Sequence, residues 1–350
     1  MKIISASHHH IPKGDFSTPY EFIEKIGRTC YKSENLITEG SAVKFVKGLC
    51  KSKHYAMLEH HWVHLQLKGQ YGEFFEDLAE YSEKVLKSRG GVTDVDMHME
   101  FTEGEHLYIS APLRVFLEMR DYAVESSEVP DGVVDMLETI GRVYNSLYDC
   151  LSVNKSGTIS GKFTVFNEVD FIDELVKDDT LKDCSAEVVT NEVMKHKTHT
   201  VLFICDRGVT HELVRHRPCS FAQESTRYCN YSKGKFGEEI TVIKPSLFKD
   251  WADLHQNYPS DEYYQWRLAC ERGEKSYFEL LEMGVKPEWA RSVLPTSLKA
   301  EIIMTTNEKE WQHIVDLRDT GITGAPHPQM REIMKPWHEE LIMISGGRIK

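Results

Sequence analysis

The residues best suited to chemistry lie in the stretch Arg215-His216-Arg217-Pro218-Cys219-Ser220-Phe221-Ala222-Gln223-Glu224-Ser225-Thr226-Arg227-Tyr228. Two guanidiniums flank an imidazole at its start, and a second polar group, Ser225-Thr226-Arg227, follows after a short spacer. Arginine presents a planar fork of donors that matches phosphate and carboxylate, and each charge-assisted bond contributes about 1.5–3 kcal/mol. Such a set suits an anion. A solvated basic loop is the bland alternative, but the stretch is flanked by strongly apolar sequence and its polar residues are hydrogen-bonding ones. The interleaving of Arg, Phe and Tyr also suits single-stranded nucleic acid, yet no extended basic stripe accompanies it.

The neighbouring elements have to position these side chains. Residues 198–205 are short, apolar and β-branched, which predicts a buried strand. Residues 207–215 predict a helix that places Arg207, His211 and Arg215 on one face and Val209 and Leu213 on another. Pro218 disfavours helix at Arg217, so the basic triplet falls at a helix-to-loop corner where side chains can converge. The chain has 350 residues, 41% hydrophobic and 28% charged, with a net charge of −13. That balance fits a globular protein and argues against general binding to nucleic acid or an anionic membrane. An acidic chain that binds a nucleotide needs a local basic pocket, and the 215–227 stretch supplies one. Eight cysteines are scattered without a Cys-x-x-Cys pair, as for reduced thiols in a cytoplasmic protein. No apolar run is long enough to span a membrane, and the start of the chain lacks a signal-peptide layout.

A second chemical segment is His54-Tyr55-Ala56-Met57-Leu58-Glu59-His60-His61, which leads into a strand through Leu67. Its spacing is not that of a zinc helix, and neighbours on a strand point to opposite faces, so His60 and His61 do not share an ion. No metal is expected.

Arg-His-Arg, seven residues and then Ser, continued by Gln223-Glu224-Ser225-Thr226-Arg227-Tyr228, resembles the signature of the flavin-dependent thymidylate synthases (the ThyX family). Other segments follow in family order. His54…Glu59-His60 resembles a Gly-His-x-x-x-x-Glu-His segment of the flavin site, with Lys53 in place of Gly. Ala290-Arg291…Leu294-Pro295 resembles a nucleotide-binding segment. Asn307, a helix and Leu317-Arg318 resemble a flavin- and pyrimidine-contacting segment. His327-Pro328-Gln329…Glu332-Ile333 resembles one that begins with a flavin-contacting His.

The resemblance implies an α/β fold, a mixed sheet flanked by helices, assembled as a homotetramer whose active sites are shared between subunits. It implies FAD, reduced by NADPH, with methylenetetrahydrofolate as carbon donor and dUMP as acceptor. Carried over residue by residue, His54, Glu59, His60, Arg215, His216, Arg217, Asn307 and His327 would hold the flavin. Gln223, Ser225, Thr226, Arg227 and Arg291 would hold the nucleotide, with Arg227 supplied by a neighbouring subunit. Arg318 would face the uracil ring and stabilise charge there. Ser225 is read as a binding residue, because serine is a weak nucleophile without a positioned base. Cys219 and Cys229 are read as structural.

Besides Lys53, four positions depart from the family pattern: Glu212 for Gln, Ala222 for Asn, Lys309 for Arg and His313 for Asn. An acid at 212 bears on whether uracil or cytosine is read, which keeps a dUMP or dCMP hydroxymethylase as a related alternative and a flavin binder without this activity as another. The resemblance covers about residues 17–67 and 196–343, and residues 1–67 and 196–350 are taken as the core. Residues 68–195 do not match and are read as an insertion elaborating it. Helices are expected over 71–88, 113–122 and 133–151, a surface loop over 92–106 and strand character over 157–172; residues 173–196 are acidic, then polar.

Overall fold

The computed structural model describes residues 1–89, 97–153, 160–226, 230–232, 238–248 and 262–350. Ten strands are described: β1 (Lys2–Ile4), β2 (Ser7–His10), β3 (Trp62–Leu67), β4 (Glu100–Glu103), β5 (Leu107–Pro112), β6 (Phe163–Phe166), β7 (Thr198–Asp206), β8 (Ser220–Gln223), β9 (Thr241–Ile243) and β10 (Lys299–Asn307). They form a sheet of order β2-β7-β10-β8, a second of order β4-β5-β3-β6, and the pair β1-β9. With the helices around them, this is the α/β class expected from the sequence. Both four-stranded sheets are antiparallel, and among the described residues parallel pairing is confined to β1-β9.

The spine is the nine-residue pairing of β7 with β10, from Thr198 opposite Asn307 to Asp206 opposite Lys299. β10 is buried along almost its whole length, as a β-rich central strand must be. One face packs on Trp311, Ile314, Met334, Trp337 and Leu341 of the Glu308–Val315 and Pro328–Ile344 helices. The other face contributes Ile303 and Ala222 to a larger cluster that runs through the Pro19–Tyr31 helix, β3, β5 and the Leu113–Glu125 and Asp131–Val143 helices. β3 hydrogen-bonds to β5 and β6, so residues 68–195 share a sheet and a hydrophobic cluster with residues 20–67.

Local chemistry explains where the elements differ from expectation. Residues 5–6 separate β1 from β2, which join different sheets. Residues 173–196, acidic and then polar in sequence, are largely helical, since Asn167, Asp178 and Ser185 each cap the helix that follows: Glu168–Lys177, Asp179–Lys182 and Ala186–His196. The Asn167 cap also ends strand character at Phe166. The loop expected over 92–106 contains β4, and residues 90–96 lie outside the described residues. Among the described residues, no helix is long and apolar enough to cross a membrane.

Candidate active site

Asp206 ends β7 and caps the Arg207–Leu213 helix, its Oδ1 accepting from the Val209 amide at 2.8 Å. The helix stops two residues before the expected Arg215. Tight turns then bond the Arg215 amide to the Glu212 carbonyl (3.3 Å) and the His216 amide to the Leu213 carbonyl (3.1 Å). The chain returns beside β10, where Thr306 Oγ1 donates to the Pro218 carbonyl at 2.7 Å. The basic triplet therefore sits at the Asn307 end of the sheet. His216 is buried there, while Arg215 and Arg217 are exposed.

A second segment meets it. The Glu308–Val315 helix ends in a wide turn over Asp316–Thr320, closed by left-handed Gly321 (φ 72°). That turn carries Arg318 to the triplet. Arg318 Nε donates to His216 Nε2 at 3.0 Å, and Arg318 Nη1 to Glu212 Oε2 at 3.1 Å. Burial and the adjacent Arg318 lower the His216 pKa to about 4, so near neutrality its ring is neutral and its Nε2 serves as an acceptor.

On the far side of the triplet lies a cleft of ≈ 250 Å³ lined by Glu59, Arg114, Arg217, Ser220, Phe221 and Thr305, among others. Ser220 Oγ donates to the Glu59 carbonyl at 3.1 Å. The Glu59 carboxylate is paired with Arg114, which also pairs with Glu118, and Glu118 in turn with Arg89. His60 is fully buried; its Nδ1 lies 2.7 Å from Thr305 Oγ1, and its Nε2 has no hydrogen-bond partner among the described residues. Burial lowers its pKa to about 3. His61 instead meets Tyr144, with Nε2 2.8 Å from the hydroxyl, so the two histidines face different partners. Among the described residues, no three His, Cys, Asp or Glu side chains are grouped to hold a metal ion. Burial pushes the Cys219 thiol up, away from nucleophilic thiolate.

Not every candidate joins this group. Asn307 is buried at the start of the Glu308–Val315 helix with its amide engaged. Its Oδ1 accepts from the Glu310 amide, and its Nδ2 donates to Glu100 Oε1 and the Lys195 carbonyl, all at 2.9 Å. His54 is exposed and lies 3.0 Å from the Tyr31 hydroxyl. Lys53 before it has φ 54°, a left-handed conformation that glycine adopts more easily, which accounts physically for the family's Gly there. His327 is exposed ahead of the Pro328–Ile344 helix.

Gln223, Thr226 and Arg291 lie at the other end of β8, since Ser220 pairs with Thr305 but Gln223 with Ile302. Gln223 Nε2 donates to Thr210 Oγ1 at 3.0 Å, and Arg291 Nη1 to Thr226 Oγ1 at 2.9 Å. Ser225 is next to them in the chain, and Arg227, with Tyr228 and Cys229, lies outside the described residues. Sequence reasoning missed Arg114. Its four-residue spacing from Glu118 was visible, but its pairing with Glu59, 55 residues away, depends on β3 and β5 lying side by side.

A triplet-bearing corner with spare donors beside a cleft walled by an ion-paired carboxylate, with a buried imidazole next to it in the chain, defines a site for an anionic or electron-rich ligand. The family profile described as "Thymidylate synthase complementing protein" matches residues 152–344. This is more than half of the chain, and the protein belongs to that family. Residues 215–227 fall inside the match, as their motif implied. Curated relatives named flavin-dependent thymidylate synthase include those of Pyrococcus abyssi, 35% identical over 127 residues (36% of this chain, 48% of the relative), and Haloarcula marismortui, 34% identical over 124 residues (32% and 50%). The chain spans about half the length of the curated relatives it matches. Among solved structures, the UMP/dUMP methylase PolB of Streptomyces cacaoi aligns at 19% identity and a TM-score of 0.34, over 60% of this chain and 85% of that one.

Proposed function

We propose that this chain is a flavin-dependent thymidylate synthase, converting dUMP to dTMP with methylenetetrahydrofolate as carbon donor and NADPH as reductant, in the cytoplasm. The observation that carries the reading is the Arg318–His216 contact at 3.0 Å. It joins two motif segments 102 residues apart and leaves the exposed Arg215 and Arg217 guanidiniums beside them. The residues fit a flavin. Arg217 uses Nη1 on the Val214 and His216 carbonyls (2.6 and 2.8 Å), and its other nitrogens remain as donors for phosphate or the ring edge. When bound, FAD would supply the hydride chemistry.

The protein's own part is binding and electrostatics. Arg215, His216 and Arg217 would hold the flavin, with Glu59 and His60 lining it and His54, Asn307 and His327 around it. Arg318 would face the pyrimidine and offset negative charge as it develops. Thr226 and Arg291, with Gln223, Ser225 and Arg227, would take the nucleotide phosphate. Their place at the far end of β8 suits a site completed by a neighbouring subunit, as in a homotetramer. Residues 68–195 would elaborate this core, since they share its hydrophobic cluster and send Arg114 to Glu59.

The Glu212–Arg318 ion pair at 3.1 Å favours a second reading, in which dCMP is the acceptor or the product is hydroxymethylated, because an acid beside the pyrimidine-facing cation changes the charge that the base meets. The test is an absorbance spectrum of the purified protein, then anaerobic NADPH with dUMP or dCMP. Bleaching of a flavin spectrum and tritium release from [5-³H]dUMP are expected. A protein that takes up no flavin on reconstitution would refute the reading.

A further inference from the structure

We propose that a second cavity, between the core sheet and residues 68–195, binds a small aromatic molecule carrying one anionic group. The cavity measures ≈ 730 Å³, inside the range of small-molecule sites. It shares only Trp62 with the cleft at Glu59 and does not depend on the flavin reading. Its walls come from separate segments: the 10–22 region, β3, residues 143–145, residues 165–169 and the start of β7.

The polar end is built around Glu168. Its Oε2 accepts from Lys13 Nζ at 2.7 Å, from the Thr198 amide at 3.2 Å and from Thr198 Oγ1 at 2.8 Å, while Lys197 Nζ stands 3.0 Å from Oε1. Burial alone would raise the Glu168 pKa, but Lys13 and Lys197 outweigh it and hold the carboxylate well below its ordinary range. One carboxylate thus faces two ammoniums, and the local charge is positive. An ammonium has three protons. Lys13 gives two, to Glu168 and Thr198, and Lys197 gives one to Glu168 among the described residues. Both retain an N–H for an incoming anion, and both are about a quarter exposed.

The rings beside the two ammoniums carry no charge of their own. Burial lowers His61 to about 3 and His64 well below its usual value, so both rings are neutral. Glu308 beyond His199 is already paired with Arg348. His64 is 2% exposed, and its Nε2 lacks a hydrogen-bond partner among the described residues. A buried polar atom in this state costs free energy unless a ligand or water meets it. The rest of the lining includes the aromatic side chains Phe16, Tyr20, Phe22, Trp62, Tyr144 and Phe166, which suit a planar ring. A cationic end and an aromatic body together select an aromatic anion over either a bare anion or a neutral hydrocarbon.

The test is calorimetric titration of the full-length protein with 2-naphthoate, with the plug variants below separating this cavity from the Glu59 cleft. Saturable binding of one probe per chain is expected. The neutral 2-naphthamide should bind at least tenfold more weakly, as should 2-naphthoate to Lys197→Met. Val143 lines the cavity and is 56% exposed, so Val143→Trp should block binding without lowering the melting temperature. Val169→Trp, at a position 61% exposed, is the second plug if the first does not fold. No saturable heat, equal affinity for the amide, or undiminished binding to a folded plug variant would overturn the proposal. So would a change in assembly mass caused by the plug, which would show that a second copy covers the cavity.

Discussion

Glu308 and Arg318 stand at opposite ends of one helix-and-turn segment, and their charges are handled in opposite ways. Glu308 is fully buried. Arg348 grips it with two bonds of 2.6 Å, His199 Nε2 lies 2.9 Å away, and its own amide is bonded to the Lys197 carbonyl. Arg318 keeps 23% of its side chain exposed and spends Nε on His216 and Nη1 on Glu212. The first arrangement closes every valence on protein groups, which is how a buried charge is tolerated. The second leaves donor capacity facing outward, which is what a ligand needs. Position relative to β10 makes the difference: Glu308 directly follows the strand's last residue, whereas Arg318 lies past the helix on a turn at the edge.

The sharpest way to break this comparison is Glu308→Ala. Removing one partner of a buried pair leaves the other charged and unmatched, and the expected loss is about 3–5 kcal/mol of unfolding free energy, read by urea denaturation. A loss below about 1 kcal/mol would mean that Arg348 finds water and that the closed arrangement is no different in kind from the open one. Arg318→Ala should do the reverse. Stability and flavin retention should be nearly unchanged, and turnover of dUMP should fall on the order of 10²–10³-fold, the effect of deleting a donor aimed at developing charge. Unchanged turnover would remove Arg318 from the chemistry. Arg217→Ala should instead weaken FAD retention, measured as flavin occupancy after gel filtration.

Buried histidines give the comparison a pH axis. His216 at about 4, His60 at about 3 and His196 at about 4 are all lowered mainly by burial, against an ordinary value near 6.5. Between those limits the unfolded chain binds protons that the folded chain refuses, so stability rises with pH there. Their contribution is fully present above about pH 6.5 and is lost as pH falls toward 4. Glu310 opposes it: burial and Glu100 raise its pKa to about 7, so its share is lost as pH rises toward 7. The three histidines outweigh the one carboxylate, and at roughly 1.4 kcal/mol per pK unit a net loss on the order of a few kcal/mol is expected between pH 6.5 and 4. Urea midpoints across that range check it. A flat profile would show that these rings are hydrated.

Much of this was legible in the sequence for a physical reason. The Arg215–Tyr228 motif, the β7 run and the Asn307-to-Arg318 segment are local patterns, and local patterns survive in one dimension. The 68–195 segment was harder. Its helices over 168–196 announce themselves only by Asn167, Asp178 and Ser185 as caps, amid charges that also fit a loop. The partners of Glu59 and Glu168 could not be read at all. Arg114 meets Glu59 across 55 residues, and Lys13 meets Glu168 across 155, through strand pairings that no residue spacing encodes.

The same limit applies to Glu212, whose identity was visible as a departure but whose partner was not. Its contact with Arg318 at 3.1 Å makes the open end of the comparison a half-neutralised one. Glu212→Gln tests how much of the site's charge is meant for ligand. Both side chains are partly exposed, so the pair contributes at most about 1 kcal/mol to stability, and the melting temperature should barely move. The freed guanidinium would offer its full charge to the pyrimidine. A fall of a few-fold in KM for dUMP, with dCMP unaffected or weakened, is therefore expected in steady-state assays. The opposite result, tighter use of dCMP by the native protein and its loss in Glu212→Gln, would assign the carboxylate to the exocyclic amine of cytosine and make dCMP the acceptor.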